Sequence, residues 1–210
     1  MMERDGKDSK VGKDTHAVWT GRFQPPHTGH FHILRHSIEH LQMPHAAVLT
    51  AHFGWESEGA YGRHSREAYH PHRNPFTPWE RATLMRLGLE EYGLQDQVTV
   101  SVAPRHDIGW DLVTGFYPPD RIICLTEKDD FERVKADLWR ARGERVHVFR
   151  DVGADVLTTT EIRRRVASGE DWRNYVPPAS HAYFIAIDGP HRAFGTGISV
   201  QRFPDTPAPA

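Results

Sequence analysis

Two short stretches of this chain carry residue types suited to handling a polyphosphate. The first is Gly21-Arg22-Phe23-Gln24-Pro25-Pro26-His27-Thr28-Gly29-His30. It follows the apolar run Ala17-Val18-Trp19 and precedes a helical pattern that starts near Phe31. The first turn of a helix offers unpaired N–H groups and a partial positive charge to an anion. Residues at i and i+3 share a helix face, so both imidazoles can address one phosphate group, while Gly29 lets the backbone approach closely. A chain with 15 His brings some together by accident. Specified residues at Gly21, Arg22, His27, Gly29 and His30, set between a strand and a helix, make accident the poorer account.

The second stretch is Thr158-Thr159-Thr160-Glu161-Ile162-Arg163-Arg164-Arg165-Val166. It reads as a helix opening, with a hydroxyl cap and an acidic residue in the first turn. Consecutive Arg cannot share one helix face, so at least one is expected to point back toward the helix start. Hydroxyls and free N–H groups there make an anion nest. Taken alone, a capped surface helix with solvated Arg explains the segment equally well. Beside the histidine turn, the phosphate reading gains ground.

The elements that must position these residues follow from hydrophobic pattern. Short, apolar, unalternating runs predict strands over 17–20, 46–52, 98–103, 121–125 and 145–149, as in parallel strands covered on both faces. Helices are predicted between them, over 31–41, 78–92, 129–141 and 159–167. The first of these lines up Phe31, Leu34, Ile38 and Leu41 on one stripe. Such alternation implies right-handed crossovers and a doubly wound, mostly parallel five-stranded α/β sheet. Ligands of these sheets bind at the carboxyl ends of the strands, where the histidine turn falls. The polar stretch 54–73, rich in Gly, His and Arg, is long enough to be a lid or a disordered loop. Residues 1–15 are expected to form a disordered leader, 16–188 the folded domain and 189–210 an irregular, Pro-containing tail.

Composition narrows the classes of function. At 210 residues and 24.0 kDa the chain suits one domain, and 38% apolar residues are enough for a core. A mean hydropathy of -0.61 and the lack of any apolar run of about 18 residues argue against a membrane span. A net charge of -2 gives no general nucleic-acid surface. Only five of the 26 basic residues are Lys, and Arg forks suit bidentate phosphate contacts, although a GC-rich genome gives the same bias. The single Cys, Cys124, lies in an apolar strand run and reads as a buried thiol, which excludes a disulfide framework and points weakly to the cytoplasm. His64, His70 and His72 with Glu67 match no standard zinc spacing. Glu127-Lys128-Asp129-Asp130 could hold Mg²⁺, but an acidic helix start accounts for the same residues.

GRFQPPHTGH resembles the signature of the HxGH nucleotidyltransferase superfamily, whose fold is Rossmann-like. TTTEIRRRV followed by GEDWRNYVP is similar to the second motif of the archaeal-type nicotinamide-nucleotide adenylyltransferases, and Arg73-Asn74-Pro75-Phe76-Thr77-Pro78-Trp79-Glu80-Arg81 resembles the segment after their second strand. The three stretches keep the family order and span about 17–177. The resemblance implies transfer of AMP from ATP to nicotinamide mononucleotide, giving NAD and pyrophosphate, with Mg²⁺. It implies that His27 and His30 hold phosphate oxygens of ATP and that Arg22 bridges the phosphates of the two substrates. Thr159, Thr160 and Arg164 or Arg163 would clasp the β/γ end, with Gly21, Phe23, Gln24 and Gly29 completing the nucleotide site. Arg73 would reach in from the lid. Asp107 and Trp110 would contact the acceptor, Trp110 by stacking on a flat ring. The resemblance also suggests a homo-oligomer.

Several positions depart from the family pattern. Leu125-Thr126-Glu127-Lys128-Asp129 stands where the family has Ser-Gly-Asn-Pro, Thr158-Thr159-Thr160 where it usually has Ser-Gly-Thr, and the acceptor segment is shortened to Asp107-Ile108-Gly109-Trp110. These departures keep a rival in play, a CTP- or ATP-dependent nucleotidyltransferase acting on another small phosphate or phosphonate. A nucleotide sensor without turnover is a rival of another class, against which His27, His30 and Arg22 weigh.

Overall fold

A run of apolar residues with no polar alternation suits a strand covered on both faces. The five runs here join one sheet, fully buried at 45–50 and only half-buried along much of 98–103 and 146–149. The computed structural model describes residues 14–126, 130–150 and 157–195. Strands β1 (His16–Gly21), β2 (His45–Thr50), β3 (Val98–Ala103), β4 (Arg121–Thr126) and β5 (Val146–Phe149) form a single sheet of order β3-β2-β1-β4-β5. Every neighbouring pair is parallel. The chain winds outward from β1 to β3, then crosses back to β4 and β5. The switch point therefore lies between β1 and β4, and a crevice opens at their carboxyl ends.

Helix α1 (Thr28–Leu41) carries the chain from β1 to β2, and α3 (Pro78–Glu91) packs beside it. Their shared core joins Phe31 and Leu34 to Leu49, Met85 and Leu89. Gly88 makes this approach possible, because a Cβ there would stand 2.1 Å from the Phe31 ring. On the opposite face of the sheet, α5 (Asp130–Ala141) sets Trp139 against Val18, Val48 and Ile123. Helix α4 (Trp110–Val113) adds Val113 to the same cluster.

The expected elements are present, with five differences. Strand β2 ends at Thr50 rather than at His52, and α1 begins at Thr28, three residues before Phe31. Residues 54–73 are not a structureless loop. They contain helix α2 (Arg63–Tyr69) and the helical turn Pro71–Arg73, and Tyr61, Ala68 and Tyr69 pack with Phe131 and Leu138 of α5. The tail expected from residue 189 begins with a helix. Beyond α6 (Thr159–Ala167), helices α7 (His181–Ala186) and α8 (Gly189–Phe194) close a third core around Phe76, Ile162, Trp172 and Phe184. Arg192 anchors α8 to Glu80 of α3 at 2.7 Å and 2.9 Å. At the other end, Thr15 is fully buried and its hydroxyl binds Asp120, so order begins before residue 16. The rest of the expected leader and tail, 1–13 and 196–210, lies outside the described residues, as do 127–129 and 151–156. No helix among the described residues is long and apolar enough to cross a membrane.

Candidate active site

The turn after β1 is shaped by side-chain packing. Phe23 takes φ 48°, in the left-handed region that non-glycine residues seldom enter. Its ring meets the edge of His30 at 4.8 Å and lies over Gly21, where a Cβ would come within 3.1 Å of it. Gln24 locks the turn to the segment before α3 by a reciprocal amide pair: its Nε2 donates to the Phe76 carbonyl (3.1 Å), and the Phe76 N–H donates to its Oε1 (3.0 Å). His27 is the N-cap of α1 and His30 stands in the first turn, with ring centroids 3.7 Å apart. The His27 N–H donates to His30 Nδ1 (3.1 Å), and Thr28 N–H donates to the Tyr175 carbonyl (2.8 Å). A Cβ on Gly29 would lie 3.2 Å from the His27 ring and from the Leu157 carbonyl, so glycine keeps the paired rings and the start of α6 in contact.

Both histidines face a cavity of about 560 Å³ at the carboxyl ends of β1, β2 and β4. Arg22, Arg73 and Arg163 also line it, together with Thr158, Thr159 and Thr160. Arg22 is held by the lid, donating from Nη1 to the Ala68 carbonyl at 2.7 Å. Burial, then the charges of Arg73 and Arg163, push its pKa down to about 10, which still leaves it cationic at neutral pH. Arg163 is likewise lowered by burial and by Arg73. Its guanidinium spans the carbonyls of Ala193, Gln24 and Arg73 at 3.0, 3.4 and 3.3 Å, tying α8 to the histidine turn. Arg73 pairs with Glu67 at 2.7 Å. Thr158 caps α6 by accepting from Glu161 N–H (3.1 Å), which points the helix start and its hydroxyls at the cavity. Cations that repel one another in a partly dry cleft are stabilised by an anion of matching geometry.

Three expected site residues are elsewhere. Arg164 faces solvent and pairs with Glu161 at 2.7 Å, helping to hold that carboxyl down to about 2. The reason is helix phase: Ile162 and Val166 are the buried face of α6, and Arg164 lies about 200° from Ile162. Asp107 does not line the cavity. Its side chain and that of Arg105 are fully buried as an ion pair at 2.7 Å, and Ser65 Oγ donates to the same carboxylate. Burial alone would raise the Asp107 pKa; Arg105 and Ser65 outweigh it and hold the carboxyl low. Trp110 packs against the core beneath α5, edge to face with Trp139 at 4.9 Å and under the Arg142 guanidinium at 4.7 Å.

His64, one of the lid histidines singled out in the sequence, lines the cavity too. Other lining residues were not foreseen: Tyr61 and Tyr69 come from the lid, His106 from the loop after β3, and Glu132 and Lys135 from α5. Tyr61 hydrogen-bonds His106, whose pKa is pushed down to about 3, first by burial and then by Lys135. No local pattern marks these residues, because contacts between chain segments some 45 positions apart bring them together. Among the described residues no group of three or more His, Cys, Asp or Glu is arranged to hold a metal ion.

An all-parallel sheet with an HxGH turn at its switch point, facing an arginine-lined cavity and a second helix start, defines a nucleotidyltransferase of the HxGH type. No family model matches the chain. The nicotinamide-nucleotide adenylyltransferase of Pyrococcus furiosus is 30% identical to it over 175 residues, covering 83% of this chain and 85% of that protein. The protein of the same name from Pyrococcus abyssi gives the same identity and coverage, and that from Saccharolobus solfataricus is 24% identical over 179 residues, covering 83% and 92%. The fold is shared with a solved Plasmodium falciparum nicotinic acid mononucleotide adenylyltransferase in complex with NaAD (TM-score 0.50, 11% identity, 88% of this chain and 100% of that one). The chain belongs to the nicotinamide-nucleotide adenylyltransferase family.

Proposed function

We propose that the protein transfers AMP from ATP to nicotinamide mononucleotide, forming NAD and releasing pyrophosphate. The observation that carries this reading is the convergence of His27, His30, Arg22, Arg73, Arg163 and the α6 helix start on one cavity. The transfer joins a phosphate oxygen of the acceptor to the α-phosphorus of ATP and breaks the bond to the β-phosphate. It needs no covalent enzyme intermediate. Alignment of the two reactants and stabilisation of charge on the departing pyrophosphate supply the rate. His27 and His30 donate to α- and β-phosphate oxygens at the mouth of α1. Thr159, Thr160 and Arg163 hold the β/γ end at the mouth of α6. Arg22, bracketed by Arg73 on the lid, bridges the phosphates of donor and acceptor, where a planar fork is better suited than a point charge.

Mg²⁺ belongs to this reading. Glu132, Glu67 and the hydroxyls of Thr158, Thr159 and Thr160 are among the oxygen groups lining the cavity, Glu67 being paired with Arg73. That set fits an ion carried mainly by the triphosphate and its own waters. Bound there, Mg²⁺ supplies further charge neutralisation on the phosphates. A cytoplasmic location and a homo-oligomer go with the same reading; the exposed Ile108, Leu112 and Phe116 on one stretch of chain support self-association, which sedimentation velocity reads directly.

A second reading keeps the chemistry and changes the partners. The commitment of Asp107 to Arg105 and of Trp110 to the core favours an acceptor pocket unlike the family's, and so a CTP- or ATP-dependent transfer to another small phosphate or phosphonate. Pyrophosphate release with Mg²⁺, crossing ATP, CTP, GTP and UTP against nicotinamide mononucleotide, separates the two. Release with ATP and nicotinamide mononucleotide alone supports the first reading. A folded protein inert toward that acceptor but active with another supports the second.

A further inference from the structure

Arg81, on α3, is a buried cation for which the site as described has no use. It is 0% exposed. From Nη1 it donates to the Arg22 carbonyl (2.6 Å) and the Thr50 carbonyl (3.1 Å), bridging the ends of β1 and β2 directly under the phosphate turn. Its Nε and Nη2 have no hydrogen-bond partner, and it forms no ion pair among the described residues. The carboxylate next to it in sequence, Glu80, is committed to Arg192 and to the Thr77 N–H that caps α3. The helix therefore starts without help from Arg81.

A charge buried without a counterion is costly, and a neutral donor could bridge two carbonyls at far lower cost. Arginine at this position is thus explained by what lies above it rather than by folding. We infer that Arg81 is a positioning residue of the phosphate site: its guanidinium fixes Arg22 through the main-chain carbonyl and supplies unneutralised positive charge beneath the anion-binding turn. The inference rests on the adenylyl-transfer reading. It adds to that reading a cation that never touches substrate. Arg22 bears on it in turn, since burial and then the Arg22 charge lower the Arg81 pKa to about 10.

The test measures binding of inorganic pyrophosphate with Mg²⁺ by titration calorimetry, with kcat and thermal unfolding, for wild type, Arg81→Lys, Arg81→Gln and Arg22→Gln. Lysine keeps the charge and loses the fork; glutamine keeps a donor and loses the charge. Arg81→Lys is expected to bind pyrophosphate within about threefold of wild type and to lose about tenfold in kcat. Arg81→Gln is expected to lose about thirtyfold in pyrophosphate affinity, the scale of one unit charge acting through a protein-like dielectric. That loss should persist at high salt, because buried charges are poorly screened. A folded Arg81→Gln that binds as wild type does, beside an Arg22→Gln that does not, overturns the inference and leaves the function standing. Should Arg81→Gln not fold, a wild-type kcat in Arg81→Lys overturns it instead. Wild-type protein that binds no pyrophosphate and turns over no nucleotide overturns both.

Discussion

The histidine pair acts through placement. His27 and His30 sit at the N-cap and first turn of α1, so each can add a hydrogen bond where the helix already presents free N–H groups and positive charge. His30→Ala should therefore lower kcat by about 10² to 10³ with little change in unfolding temperature, the scale of losing one charge-stabilising donor. A variant with near-wild-type turnover would remove His30 from the mechanism. Arg22→Lys should lose about tenfold or more in kcat/KM even though it keeps the charge, because Lys cannot span two phosphates as a fork; steady-state kinetics in both substrates reads this. At this scale the sequence was legible where chemistry depends on neighbours in the chain, as in the histidine turn. Arg163 could have been chosen over Arg164 as well, since Ile162 and Val166 mark the buried face of α6. Arg81 carries no such mark, because only its burial and missing counterion set it apart.

At the scale of elements, the stretch 54–73 follows the lid alternative rather than the disordered one. Residues 54–69 are pinned by Arg105 and Asp107, not left loose. Arg105 donates to the Gly54 and Ser57 carbonyls and lies over the Tyr69 ring at 4.4 Å; the Ala60 N–H donates to the Asp107 carbonyl at 2.8 Å. Gly59 is required there, as a Cβ would clash with Asp107 Oδ2 at 1.9 Å. Asp107→Ala should thus cost about 3–5 kcal/mol of stability by stranding a buried guanidinium. Chemical denaturation decides the point: a residue serving only the acceptor would raise KM and leave the midpoint unchanged. Helix α8 makes a similar case. Arg192→Ala should cost about 1–3 kcal/mol, the worth of hydrogen bonds to a charged group, and should weaken the site through Arg163, which reaches α8 at the Ala193 carbonyl. These elements were hidden from the sequence because α2, α7 and α8 are six or seven residues long and owe their order to partners far along the chain.

For the whole molecule, the five parallel strands were the most legible feature, because strands of a covered parallel sheet write themselves as continuous apolar runs; their spatial order was not read from the sequence. The third core around Trp172 and Phe184 was not, since its residues come from short helical turns without sustained periodicity. Stability should carry the mark of buried, neutral histidine. His106 has its pKa pushed down to about 3, and burial also lowers His45, His52 and His147. A folded value below the unfolded value of about 6.5 means that the unfolded chain takes up the proton first. The stabilisation is then complete above about pH 6.5 and drains away as pH falls toward 3. Unfolding temperature should decline from pH 6.5 to 5, before most carboxylates titrate, and more gently in His106→Gln. A profile flat over that range in the wild-type protein would contradict the neutral, buried state of these rings.

The central claim is that one cavity transfers an adenylyl group. Incubation with nicotinamide mononucleotide, Mg²⁺ and ATP labelled at the α-phosphorus tests it most directly. The account predicts that the label passes into NAD, one equivalent for each pyrophosphate released, and that Arg22→Lys and His30→Ala slow both products together. Labelled ATP that binds and is recovered unchanged, with every acceptor phosphate tried, would contradict it.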